Sequence, residues 1–133
     1  MSLIESVKES EGFRDKVYKC TAGYDTIGYG FAIKDLIMDE DIAEKILIRK
    51  LDRLSERIDK KFPFVKDLPI HVRDVVVEMC YQLGVSGFSK FKQTIALLRL
   101  GNFKDAADEM LDSRWSRQTP NRAQKLADIV RNA

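Results

Sequence analysis

A helical period that breaks at Gly12, two short extended runs punctuated by glycine, and a helical period that resumes near Asp39 and holds to the end leave this chain few folds. Leu3, Ile4 and Val7 form an apolar stripe at helical spacing, and Ser2 with Glu5 three residues on is a capping box. A helix is therefore predicted over about 3–11, with Gly12 just beyond its end. Val17–Cys20 and Thr26–Phe31 are β-branched and aromatic runs, and Thr21–Asp25 between them suits a hairpin connection. Gly28 and Gly30 strip one face of the second run of side chains, which fits either a β-bulge or a close approach to the backbone, a ligand being one candidate. From Asp39, the positions Ile42, Ala43, Ile46, Leu47, Leu51, Leu54 and Ile58 mark a long amphipathic helix up to Phe62–Pro63. Further helices are predicted over about 70–83, ending at Gly84, and over 90–100, 103–111 and 120–131, the last capped by Thr119 with Pro120 in its first turn. The fold class is α+β, mainly α.

The hairpin region also concentrates chemistry. Glu11 falls at the negative end of the first helix, where a carboxylate is disfavoured as an anion and its pKa is expected to rise, as suits a proton donor. The bland reading is a solvated glutamate that ends a helix. Cys20 and Thr26 stand at the two mouths of the hairpin loop, adding a thiol and a hydroxyl. The two cysteines, Cys20 and Cys80, are far apart without a CxxC, and His71 is the single histidine, so neither a metal nor a cofactor is expected. A Cys20–Cys80 disulfide is formally open but disfavoured in a reducing compartment. Cys80 lies in an apolar helical segment and reads as core, and His71 as a surface or capping residue.

Composition narrows the class. With 133 residues, 44% hydrophobic and 33% charged, the chain suits one compact domain. No apolar run approaches the roughly 20 residues of a membrane span and no signal peptide is visible, so no stable membrane insertion is expected. A net charge of +2 is too small to imply nucleic acid as a partner.

Glu11, eight residues, Cys20, five residues, then Thr26 is a spacing that resembles the catalytic pattern of the phage-type lysozymes, glycoside hydrolase family 24. The similarity extends to Glu11-Gly12-Phe13-Arg14, to Gly23 through Gly30, to Tyr81-Gln82-Leu83-Gly84, and to Ser113-Arg114-Trp115 with Gln118 through Ala123, closest to the T-even branch. The resemblance implies a lysozyme-like fold with a small β lobe (about 13–38), a connecting helix (39–61) and a helical lobe (1–12 and 62–133), with a cleft between the lobes. It implies hydrolysis of the β-1,4 bond between N-acetylmuramic acid and N-acetylglucosamine in peptidoglycan, with Glu11 as general acid and Cys20 and Thr26 activating or positioning water. By the same resemblance Gly30, Ala32, Tyr81, Gln82, Phe91 and Thr94 line the sugar site, Arg122 pairs with Glu11, and Arg114 and Trp115 support the wall of the site. A monomer is expected, made in the host bacterial cytoplasm and reaching the wall through a separate membrane-permeabilising partner.

The sequence departs from the T-even branch at position 20, where Cys replaces Asp, a variation the wider family admits. The stretch after Phe31 is shorter, so a strand and a small helix of the β lobe are expected to be missing. Two other classes fit less well. A lytic transglycosylase needs one glutamate and no activated water, hence neither Cys20 nor Thr26, and a non-catalytic wall-binding module gives no reason for the trio at all.

Overall fold

The computed structural model describes residues 2–133 and divides into two compact units, Met1–Glu44 and Lys45–Ala133. In the first unit, α1 (Leu3–Glu11) starts at the predicted capping box: the Ser2 hydroxyl accepts from the Glu5 N–H at 3.1 Å, and Glu5 Oε2 accepts from the Ser2 N–H at 3.1 Å. Gly12, at φ 70°, ends it by donating its N–H to the Lys8 carbonyl at 2.8 Å. A three-stranded antiparallel sheet follows, in the order β1 (Arg14–Lys19), β2 (Asp25–Gly28), β3 (Phe31–Ala32). Lys19 faces Asp25 and Tyr18 faces Thr26 across the first pair; Thr26 faces Ala32 and Ile27 faces Phe31 across the second.

This corrects the single strand predicted over Thr26–Phe31. Gly28 (φ 70°) and Gly30 (φ 73°) both occupy the left-handed region that L side chains avoid. The chain reverses around Tyr29 instead of running on, and the residues after Gly30 return as a third strand. The irregularity in the sheet lies in β1, between Arg14 and Tyr18. At Gly28 a Cβ would come 2.7 Å from Phe31 Cδ2, so the ring of β3 occupies the space a side chain would need.

α2 (Glu40–Lys61) is the long predicted helix; its C-terminal half buries Leu54 and Ile58. A 3-10 turn (Pro63–Asp67) leads into α3 (Ile70–Ser89), followed by α4 (Lys92–Leu100), α5 (Phe103–Leu111), α6 (Arg114–Gln118) and α7 (Pro120–Arg131). The core of the second unit gathers Ile58, Val65, Met79, Phe88, Met110 and Leu126 from five of these segments, all essentially inaccessible.

Three expectations change here. The helix predicted to stop at Gly84 bends there, at φ 78° and ψ 159°, and continues to Ser89 because Val85 and Phe88 beyond the bend are buried. α6 was absent from the sequence reading, since five residues carry too little periodicity to register. Thr119 stands at the N-cap of α7 with Pro120 in the first turn, but its side chain makes no cap hydrogen bond; its hydroxyl donates back to the Trp115 carbonyl at 3.1 Å, which closes α6. Among the described residues, no helix is long and apolar enough to cross a membrane.

Candidate active site

The first unit brings Glu11, Cys20, Thr26, Gly30 and Ala32 onto one helix end and one small sheet. Glu11 is the last residue of α1 and is exposed. Its carboxylate lies against the turn between β2 and β3: a Cβ on Gly30 would run into Glu11 Oε2 and stand 3.0 Å from Cδ and 3.5 Å from Cγ. Two residues further along, Ala32 of β3 faces Thr26 of β2. The same short hairpin therefore touches Glu11 at its turn and carries Thr26 on its strand.

Thr26 is 3% exposed, and it is the one buried side chain among the described residues of the first unit. A lone buried hydroxyl must find partners. It donates to the Tyr24 carbonyl at 3.0 Å. Cys20 sits directly after β1 in a loop closed from both sides, with the Cys20 N–H donating to the Tyr24 carbonyl at 3.0 Å and the Gly23 N–H to the Cys20 carbonyl at 2.9 Å. The returning loop turns its amides towards the thiol. Hydrogen bonding from the Tyr24 N–H above all, with smaller contributions from Ala22, the Thr26 hydroxyl and Gly23, holds the Cys20 thiol below its ordinary pKa against the opposing effect of partial burial. The Thr26 hydroxyl has one proton, and the Tyr24 carbonyl takes it.

The second unit holds the remaining candidates. Tyr81 is exposed beside Leu47, Leu51, Val77 and Glu78 at a groove of about 340 Å³. The Gln82 carbonyl oxygen accepts from the Trp115 indole N–H at 2.9 Å, which leaves its amide NH₂ as the free donor. Trp115 is buried and meets Phe91 edge-on at 6.0 Å. Phe91 and the buried Thr94 line a groove of about 400 Å³ with Glu109, Arg114 and Gln118. Arg122 donates through Nε to Glu78 Oε2 at 2.9 Å, joining α7 to α3.

Sequence reasoning missed Glu78 as the partner of Arg122, because the two stand 44 residues apart with no shared period. It also missed that Gly30 makes room for a side chain of the protein itself.

The description "phage lysozyme" belongs to the family whose pattern matches residues 8–132. The chain is 27% identical to the probable T4-type lysozyme 1 of Dictyostelium discoideum, over 97% of this chain and 93% of that protein. It is 26% identical to an endolysin of Acyrthosiphon pisum secondary endosymbiont phage 1, over 86% of this chain and 77% of the relative. It is also 27% identical to the pre-baseplate central spike protein Gp5 of Enterobacteria phage T4, over 98% of this chain but 28% of that much longer protein.

Proposed function

Since this chain belongs to the phage lysozyme family, we propose that it is a peptidoglycan hydrolase that cleaves the β-1,4 bond between N-acetylmuramic acid and N-acetylglucosamine. The observation that carries the reading is that one hairpin holds Glu11 against its turn and Thr26 buried on its strand, while Cys20 directly follows Lys19, which faces Asp25 across β1 and β2.

Glycoside hydrolysis needs a group that protonates the leaving oxygen and another that activates water or steadies the oxocarbenium-like centre. Glu11, exposed at the end of α1, serves as the general acid. Cys20 supplies the ionisable second group, favoured as thiolate by the loop amides, and Thr26 aims the attacking water. A thiolate held by hydrogen bonds is a weaker nucleophile than a free one, which suits a base or a fixed negative charge better than covalent attack. Inversion of the anomeric centre is the expected outcome.

From the second unit, the exposed Tyr81 ring, the free Gln82 amide and the groove at Phe91 and Thr94 supply sugar contacts, while Ala32 contributes its backbone. The protein works as a monomer on the cell wall, and a separate membrane-permeabilising protein gives it access.

The test is incubation with purified peptidoglycan followed by mass analysis of the fragments. Reducing N-acetylmuramic acid ends are expected, and Glu11→Gln is expected to lose about 10²–10⁴-fold in rate, the usual range for removal of a general acid. Anhydromuramyl ends would move the protein to the transglycosylases. Binding without cleavage would make it a wall-binding module.

A further inference from the structure

We propose that Gly30 is a positioning residue for Glu11: the space left by its missing side chain is the seat of the Glu11 carboxylate. This deepens the reading above and rests on it for the meaning of the carboxylate, though not for the contact itself. The sequence offers two glycines at alternate positions, and each leaves room for a different side chain. At Gly28 the space is filled by the Phe31 ring, which packs the hairpin onto itself; at Gly30 it is filled by Glu11 Oε2, Cδ and Cγ, which come from another element. Gly12, Gly23, Gly84 and Gly101 also have positive φ, yet a Cβ on any of them would meet nothing within 4 Å. A left-handed backbone therefore does not by itself explain the crowding at Gly30.

The consequence is geometric. Gly30 ends the turn from which β3 begins, and Ala32 of β3 faces Thr26. One hairpin thus fixes the proton donor at its turn and the water-aiming Thr26 on its strand, setting the gap between them that an inverting enzyme needs. Pushing the carboxylate off Gly30 changes that gap while leaving every reacting group present. A displacement of about 1 Å in a reacting group costs on the order of 10²-fold in rate.

Gly30→Ala and Gly101→Ala form the comparison, because both glycines sit at nearly the same φ, 73° and 76°, and Gly101 lies in the α4–α5 connection with open space around it. Gly101→Ala carries only backbone strain, and should lower Tm by roughly 3–6 °C with kcat on peptidoglycan unchanged. Gly30→Ala should lower Tm further and reduce kcat about 10²-fold with KM little altered. The deciding measurement repeats Gly30→Ala in a Glu11→Ala background, where the carboxylate is gone: the Tm loss should then be smaller than in the wild-type background. An equal Tm loss in both backgrounds overturns the proposal, as does a Gly30→Ala enzyme whose defect lies in KM, which would make Gly30 a sugar contact. The Tm comparison does not depend on turnover, so it reads the Gly30–Glu11 contact even if peptidoglycan proves not to be the substrate.

Discussion

At Cys20 the backbone decides the chemistry. A thiol in an open loop is mostly protonated at neutral pH, whereas here amides from the loop that returns to β2 stabilise the thiolate, with the Tyr24 N–H first among them. Cys80 faces the opposite environment: it is 1% exposed in the core, and desolvation pushes its thiol up to about 12, with Arg57 offsetting only part of this. A thiol-selective alkylating agent at neutral pH should therefore modify Cys20 first and abolish activity, with a rate that rises along a titration curve centred below the ordinary thiol value. Cys80→Ala should be inhibited just as the wild type is. Cys20→Asp should stay active and resist the reagent, and Cys20→Ala should be strongly impaired, because the reading requires an ionisable group and not sulfur. Full activity in Cys20→Ala would remove the second group from the mechanism and favour the transglycosylase alternative.

Elements differ in how much of them the sequence discloses, and Gly84 shows why. Its place after the apolar run Val75–Leu83 reads as a helix end, and its backbone (φ 78°, ψ 159°) is indeed non-helical. What keeps the chain helical afterwards is the burial of Val85 and Phe88 against the rest of the second unit, a tertiary effect with no local signature. Gly84→Ala should cost about 1–3 kcal/mol, since this region of backbone space is nearly closed to residues with a Cβ. Urea unfolding of that variant is the check; unchanged stability would mean that the bend relaxes into a continuous helix. The capping box of α1, the long α2, and α5 and α7 were legible because Ser2, Glu5 and runs of spaced apolar residues act locally. The placement of Cys20 and Thr26 at the two mouths of one loop was legible because a short hairpin sets it, whereas their role beside Glu11 came from the family resemblance. The turn at Tyr29–Gly30 was not, because β-propensity in Thr26–Phe31 outweighs two glycines in a window count, although their left-handed φ governs the chain. Arg122 was read as a partner for Glu11 by resemblance, and the structure shows it joined to Glu78, a contact that only packing of α7 on α3 creates.

Over the whole molecule, stability and chemistry fall in different parts of the chain. Every buried apolar residue among those described lies from Leu54 onward, in the second unit, whereas Glu11, Cys20 and Thr26 lie in the first. Substitutions in the helical core should therefore act on folding, and Cys80 gives a way to see this through pH. Its folded pKa, about 12, stands above the value near 8.5 expected for an unfolded thiol. Between these values the native state binds more protons than the unfolded chain, so stability falls as pH rises; the contribution is complete below about pH 8.5 and is lost as pH climbs towards 12. Cys20 works in the other direction, because its folded pKa is lowered, and its contribution grows as pH rises through the range just below the ordinary thiol value. A comparison of wild type with Cys80→Val, similar in volume but without a titrating group, cancels Cys20 and the lysines and tyrosines that both proteins share. Urea midpoints measured from pH 7 to pH 11 should decline more steeply for the wild type above pH 9, with peptidoglycan cleavage at pH 7 alike in the two. Parallel declines would show that Cys80 is not desolvated in the native core, and would place the alkaline sensitivity elsewhere in the chain.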